Sequence, residues 1–415
     1  MSKETRLITA LDIGTSKICC LMAHRRETGE ADIVGIGTAP SRGLRKGVVV
    51  DLPATVESLK QAVEEAELQS GQAVERAFVG IAGGHIRSFN SRGVVSVSGR
   101  DREISRDDVQ RVIEAAKAVQ IPPDREVLHV LPQEFAVDGE EGIRHPEGMT
   151  GARLEALVHI VTASVSAVQN IVNCVNRAGI EVADTVLEQL AAADAALTAD
   201  ERDLGVALVD IGGGTTDLAV FERGSIWHTA VLPTGGEHVT NDLAIGLRTA
   251  VPDAERLKKK HGCAIVSMVP EEETLEVIPV GGQKNRIVSR RTLCEIVQPR
   301  MEETFGLIRD ELTRYRFEKA LNAGVVLVGG GAQLEGVSEI AEQVFDLPVR
   351  TGAPTGVRGL TEVVTSPGYA TAVGLVLHGL THGDARRRRR SASLLPLGSI
   401  GRVGERMRDI FATLF

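Results

Sequence analysis

The sequence predicts an α/β fold of two duplicated halves facing each other across a cleft, with a small α+β insertion in the first half and an amphipathic helix at the C-terminus. Three observations predict it. A strand, an acidic residue, a glycine turn and a second strand occur in that order twice, about 200 residues apart. Helices and strands alternate along most of the chain, and residues 83–162 interrupt the alternation. The last sixteen residues place their apolar side chains on one helical arc.

A length of 415 residues exceeds what one core usually supports. Apolar content of 43% and charge of 25% describe a chain that folds, and aromatics at only 3% leave Val, Ile, Leu and Ala to build its cores. The total charge is −9; from Arg386 to the end, eight arginines against two acids give +6, leaving −15 on residues 1–385. An acidic body argues against nucleic acid as a partner and puts any anionic partner at the tail. The five cysteines show no CxxC pair or zinc spacing, as expected in a reducing cytoplasm, with Cys19 and Cys20 packing from one strand. There is no signal core, and no apolar run reaches about 18 residues, so a cytoplasmic protein is expected.

Leu7–Ile13 reads as a strand, Gly14–Lys17 as a turn, and the chain through Met22 as the returning strand. Helix Leu52–Gln69 and strand Ala77–Ala82 follow. The insertion supplies helix Arg106–Gln120 behind Ser105 as N-cap, and strands near Gly93–Val97, Val127–Val137 and Leu154–Val161. Helix Ser164–Ala178, strand Ile180–Leu187 and an Ala-rich helix Glu188–Leu197 complete the first half. Gly205–Ile211, Gly212–Asp217 and a strand through Phe221 repeat the opening hairpin. Helices Glu237–Arg248 and Asp253–Lys260, strand Leu275–Val280, helix Leu293–Glu311, strand Val325–Val328 and helix Gly368–Leu380 then follow. The expected parts are a first half at 1–82 and 163–200 around the insertion 83–162. The second half spans 201–235 and 296–365 around a nucleoside-side insertion at 236–295. Residues 366–382 return to the first half, 383–398 form a basic linker, and 399–415 form the terminal helix.

The glycine turns carry the chemistry. ATP needs backbone amides for its phosphates and carboxylates facing Mg²⁺. Asp12, Gly14, Thr15 and Lys17 offer these from one side; Asp210, Gly212, Gly213, Gly214, Thr215 and Thr216 offer them from the other. Asp12 and Asp210 face the metal through water rather than directly. Either loop alone is equally well a plain hairpin turn; two of them, with a third run Gly329, Gly330 and Gly331 ending a buried strand, favour the nucleotide. No GK[ST] follows any of them, which excludes a Walker A loop.

The tail carries a second function. Ile400, Val403, Met407, Ile410, Phe411, Leu414 and Phe415 fall within about 140° of helix circumference, with Arg406 and Arg408 at the flanks. Behind five consecutive arginines this is the form of a reversible anchor on an anionic membrane surface. Docking on the protein's own core, or on a partner, is the alternative.

The segments DIGTSK (12–17), LEQLAAADAAL (187–197), DIGGGTTD (210–217), VLVGGGAQLEGV (326–337) and SPGYATAVGL (366–375) resemble the five motifs of the actin, Hsp70 and sugar-kinase superfamily. Within it, nearly the whole chain is similar to the FtsA family of bacterial cell-division proteins. That resemblance implies actin-like, duplicated ribonuclease-H-like domains around a nucleotide cleft. It implies ATP and Mg²⁺ as ligands, with Glu237 at the ribose and Glu255 and Lys258 beside adenine; a solvated helix face is the plainer reading of the last two. Glu188 or Gln189 would orient water for, at most, slow hydrolysis, the nucleotide acting mainly to control polymerisation. The implied partners are the C-terminal peptide of the tubulin-like division GTPase, with Arg300 as a contact; further copies of the chain in a filament; and other division proteins through residues 83–162. The implied location is the cytoplasmic face of the membrane at the division site. A small-molecule kinase, a polyphosphate hydrolase and a pilus-assembly adaptor are the competing readings. A chaperone is excluded, because only about 35 residues follow Leu380.

Overall fold

The repeated hairpin seeds both halves. The computed structural model describes residues 7–27, 29–99, 101–281 and 284–390. Strands β1 (Leu7–Ile13) and β2 (Lys17–Arg25) pair antiparallel through a turn closed by the Gly14 amide on the Lys17 carbonyl at 3.1 Å. Strand β3 (Ala31–Pro40) pairs with β2, and helix α1 (Leu52–Ser70) crosses to β4 (Arg76–Ile81), which lies parallel to β1. Helix α1 starts where the Asp51 carboxylate accepts from the Ala54 amide and stops at Gly71, φ 68°. It lies close on β3 because that strand has glycines beneath it; a Cβ on Gly37 would stand 1.8 Å from the Ala62 carbonyl oxygen.

The insertion contributes β5 (Arg87–Ser96), α2 (Arg106–Lys117), β6 (Arg125–Val137), β7 (Glu140–Ile143) and β8 (Arg153–Ser164), its sheet ordered β5-β8-β6-β7. Ser105 and Asp108 form a reciprocal capping box at the start of α2. Val109, Val112 and Ile113 of α2 pack on Leu154, Val158 and Ile160 as a core of the insertion's own. Helix α3 (Val165–Arg177), strand β9 (Glu181–Leu187) and helix α4 (Glu188–Ala196) then return the chain to the first half.

The second half begins with β10 (Val206–Ile211), β11 (Thr216–Glu222) and β12 (Ser225–Leu232), followed by α5 (Gly236–Leu247) and α6 (Val251–His261). A ribbon of β13 (Thr274–Val277) and β14 (Arg286–Ser289) leads into the long helix α7 (Arg290–Arg314). Strand β15 (Val325–Val328), helix α8 (Val337–Phe345), strands β16 (Val349–Thr351) and β17 (Val357–Gly359), and helix α9 (Ala370–Arg390) complete the described chain.

The two large sheets repeat one order. The first runs β9-β4-β1-β2-β3-β17 and the second β16-β15-β10-β11-β12. Each is a hairpin with a third antiparallel strand on one side and parallel strands on the other. Helix α4 is the seam between them. Its Ala191 and Ala195 pack in a first-half cluster, and Ala192, Ala193 and Ala196 in a second-half one. Small side chains also let α9 approach α4, where a Cβ on Gly374 would stand 1.7 Å from the Ala191 carbonyl oxygen.

Helix α9 runs to Arg390, so residues 383–390, expected as linker, are helical. After Gly383 they contain only Asp, Ala and Arg, with no Gly or Pro to break the helix and cations at its negative end. The rest of the expected linker, 391–398, and the expected terminal helix with Ile400, Val403, Met407, Ile410, Phe411, Leu414 and Phe415 lie outside the described residues. All five cysteines are buried and free. Among the described residues no helix is long and apolar enough to cross a membrane.

Candidate functional site: a cleft between two matched hairpins

A cavity of about 690 Å³ lies between the halves, within the size range of small-molecule sites. Asp12, Gly14, Thr15 and Lys17 line it from the β1–β2 hairpin, and Asp210, Gly212, Gly213 and Thr215 from the β10–β11 hairpin. The hairpin tips touch. A Cβ on Gly213 would fall 1.9 Å from Ser16 Oγ, and one on Gly214 would fall 2.9 Å from Thr15 Oγ1. Among the described residues the amides of Thr15, Ser16, Gly213 and Gly214 have no acceptor. Of these residues Thr15, Ser16 and Gly213 line the cavity, and unpaired amides there suit an anion.

Four carboxylates, those of Asp12, Glu188, Asp210 and Asp217, share this cavity. Burial raises Asp12 to about 6, Lys17 opposes the rise, and the charge of Asp210 adds to it. Asp210 is likewise raised to about 6 by burial, against a hydrogen bond from Thr371 and the charge of Lys17. Asp217 reaches about 8, through burial and then Asp210, its opposite number in the β10–β11 register. Glu188 is pushed well above the carboxylate range by burial and by Asp12, Asp217 and Asp210. Lys17 is the lysine whose charge opposes the rise of Asp12 and Asp210, although Lys258, Lys259 and Lys260 also line the cavity, and a cation beside the four acids would favour their charged forms. Among the described residues no three acid, histidine or cysteine side chains converge to chelate a metal. An ion of the Mg²⁺ kind would therefore fill its shell from water and phosphate oxygens, as the through-water expectation for Asp12 and Asp210 requires.

Lys17 is held at the hinge of the cleft. Its ammonium donates to the Gly368 carbonyl at 2.9 Å and sits 3.7 Å from the centre of the Tyr369 ring. Thr371, on the next turn, donates to Asp210 Oδ2 at 3.1 Å. The first turn of α9 and the residues just before it therefore touch the acidic hairpins of both halves. Neither Tyr369 nor Thr371 carried a signal in the sequence beyond membership of the last motif.

The third glycine run lines the cavity through Gly329, Gly330 and Gly331, but their roles differ. Gly329 (φ 83°) and Gly331 let β15 close on β10; a Cβ on Gly329 would stand 2.2 Å from Asp210 Oδ1, and one on Gly331 2.3 Å from Ile211 Cγ2. Gly330 alone of the three has open space in front of it. Glu255 and Lys258 also line the cavity, as a 2.7 Å ion pair rather than a solvated face. Lys258 donates to the Gly236 carbonyl at 2.9 Å and to Thr240 Oγ1 at 2.8 Å.

Several expected residues stand behind the walls. Gly214 serves the contact between hairpins. Thr216 is fully buried and donates to the Thr234 carbonyl at 2.9 Å. Glu237 contributes its amide, which donates to the Gly213 carbonyl at 2.8 Å, and is not a wall residue. Glu188 faces the cavity; its neighbour Gln189 is fully buried outside it and holds Asp217. Asp217 itself, the last letter of DIGGGTTD, received no role from sequence reasoning, although the four-residue turn 212–215 sets it opposite Asp210. Arg300 is engaged within the chain, its Nε 2.6 Å and an Nη 3.2 Å from the two oxygens of Asp242. The other arginines of that region are also partnered: Arg286 by the Leu247 carbonyl, Arg290 by Glu273 and Glu335, and Arg291 by Glu271.

Duplicated sheets of one strand order, matched acidic hairpins and a cleft between them define an actin-like protein. Solved structures share this fold. The protein of the PilM-PilN type IV pilus biogenesis complex matches 90% of this chain and 98% of its own at a TM-score of 0.65 and 16% identity. MreB5 of Spiroplasma citri bound to ADP matches 93% and 99% at 0.55 and 14%. The family model described as Cell division protein FtsA matches residues 207–374, and that of the SHS2 domain inserted in FtsA matches residues 83–162. The cell division protein FtsA of Pseudomonas aeruginosa is 51% identical over 375 residues, covering 90% of this chain and 89% of the relative. That of Escherichia coli K12 is 40% identical over 383 residues, covering 91% of each. The chain belongs to the FtsA family of cell division proteins.

Proposed function

We propose that the chain binds ATP with Mg²⁺ in the cleft and acts as a membrane-tethered, actin-like scaffold of cell division. In this reading it anchors the tubulin-like division GTPase to the cytoplasmic face of the membrane at the division site and recruits later division proteins through residues 83–162. The observation that carries the nucleotide reading is the pairing of Asp12 and Asp210, each beside unpaired loop amides, on one cavity. Its fold neighbour MreB5 was solved with ADP and with AMPPNP.

ATP and Mg²⁺, if bound, would supply a polyanion and a divalent cation. The chain's part would be to cradle phosphate with the amides of Thr15, Ser16 and Gly213, to face hydrated Mg²⁺ with Asp12 and Asp210, and to offer the Lys17 ammonium as a cation beside them. Glu188 is the acid placed to orient water. The membrane reading rests on the amphipathic pattern of 400–415, a surface that needs many copies for firm attachment.

Electron microscopy on anionic lipid monolayers tests the whole. Filaments that appear with ATP and Mg²⁺ and vanish on deletion of residues 400–415, with ATP binding kept, are expected. Co-sedimentation of the truncated chain with anionic vesicles would overturn the anchor. Rapid phosphate transfer to a small acceptor, without filaments, would replace the scaffold by a kinase.

A further inference from the structure

Strand β12 is an edge of the second-half sheet, yet its outward carbonyls are not left to water. Side chains of the insertion cap them. Ser88 Oγ donates to the Thr229 carbonyl at 2.9 Å, and Gln133 Nε2 to those of Ile226 at 2.9 Å and Trp227 at 3.2 Å. Asn90 Nδ2 reaches the Trp227 carbonyl at 3.4 Å. Trp227 is an extra residue in the strand, since Phe221 pairs with Ile226 and Val220 with His228. Such a bulge turns neighbouring carbonyls the same way, which is how one glutamine reaches both.

A fifth contact closes the seam. His159 of β8 is buried with Nδ1 2.7 Å from Asn90 Oδ1 and Nε2 3.0 Å from Thr229 Oγ1. An amide oxygen only accepts, so Nδ1 carries the proton and Nε2 accepts from the threonine hydroxyl. Burial lowers His159 to about 3, which keeps the ring neutral as this arrangement requires. Farther out, Arg144 of the insertion and Asp203 of the second half pair at 2.8 Å.

We propose that the insertion is a clamp: joined covalently to the first half, it grips the edge of the second and restrains rotation of the halves about the α4–α9 seam. Two features make it a clamp rather than a fixed core. The insertion closes an apolar core of its own around α2. Its hydrogen bonds to β12 are mostly side chain to backbone, with only partly buried apolar contacts such as Leu131 and Val231 beside them, and seams of this mixed kind part and re-form while both sides stay folded. Strand β12 also runs from the seam into Gly235 and Gly236, which line the cavity, so a shift of the clamp moves a cavity wall.

The test needs no nucleotide. Leu68 in α1 and Ile245 in α5 are 85% and 77% exposed and lie in different halves, and every native cysteine is buried. Spin labels at Leu68→Cys and Ile245→Cys report the distance between the halves by double electron–electron resonance. Gln133→Leu and, separately, Asn90→Ala are then added. Asn90 is exposed, so its variant keeps the test alive if Gln133→Leu misfolds. The expected result is a narrow distribution that broadens about twofold in either variant, with amide exchange at 226–229 accelerated about tenfold. An unchanged distribution despite faster exchange makes the seam a passive contact and overturns the proposal. Unchanged exchange overturns it too, because the contacts removed were then holding nothing.

Discussion

Gln189 donates to Asp217 across 2.7 Å in the floor of the cleft, and neither side chain is more than 5% exposed. Thr215 donates to the other carboxylate oxygen at 3.0 Å, so the acid is fixed in place while burial drives it to about 8. An acid raised in the folded chain binds protons there that it has lost in the unfolded chain. Its contribution to stability is complete below the ordinary carboxylate pKa and disappears as pH rises through the folded value. Free of nucleotide and metal, the protein should lose stability from pH 4 upward, first as Asp12 and Asp210 ionise near 6 and then as Asp217 does near 8. Asp217→Asn removes the charge and keeps the bond from Gln189, while the contact with Thr215 reverses, the hydroxyl accepting from the new amide nitrogen. Calorimetry from pH 5 to 9 should find the upper part of the decline shallower in this variant, Glu188 keeping its own share; a decline of unchanged slope would place the titration elsewhere.

Cation binding reverses that trend. Hydrated Mg²⁺ prefers ionised carboxylates, so Asp12 and Asp210 must release whatever protons they hold. Affinity for Mg²⁺–ATP should therefore climb between pH 5 and 7, by up to about tenfold per pH unit for each proton displaced. The nucleotide's own phosphate titrates nearby, so the informative comparison is with Asp210→Asn, whose calorimetric binding profile should be flatter and weaker throughout. Identical profiles would mean that Asp210 does not face the cation.

The hairpins were legible because a glycine turn beside an acid on a strand is a local pattern, and its recurrence requires no knowledge of the fold. Asp217 was equally legible in principle: counting the strand register back from the turn sets it opposite Asp210. The split among Gly329, Gly330 and Gly331 was not, since Gly329 and Gly331 answer to β10, more than 100 residues away in sequence, and Gly330 does not. The same holds for the insertion's grip on β12. Ser88, Asn90 and Gln133 are ordinary polar residues whose partners are backbone carbonyls of another half, and backbone acceptors leave no mark in a sequence.

Gly329 joins a backbone requirement to a spatial one. Its φ of 83° is one an L side chain resists, and a methyl group there would overlap Asp210 Oδ1 and the Ile211 carbonyl. Gly329→Ala should cost about 2–4 kcal/mol of stability and displace Asp210. Gly330→Ala, facing open space, should leave thermal stability nearly unchanged and act, if at all, on nucleotide affinity. Equal melting temperatures for the two variants would contradict the geometry described for β15.

Arg300 is the residue on which the sequence reading of the partner surface and the folded chain pull apart. An arginine awaiting an acidic peptide should be uncommitted, but Asp242 takes Nε and an Nη together and Glu303 takes the remaining edge. Both members of the Arg300–Asp242 pair are less than a third exposed, so a coupling of about 0.5–1 kcal/mol is expected from a double-mutant cycle on stability. If the pair is only a brace between α5 and α7, Arg300→Ala and Asp242→Ala should weaken capture of the division GTPase's C-terminal peptide by similar, small factors. If Arg300 binds that peptide, it must first leave Asp242; removing the aspartate then spares that cost, and Asp242→Ala should bind more tightly than the parent while Arg300→Ala binds less. Fluorescence anisotropy with a labelled peptide separates the two by the sign of a single change.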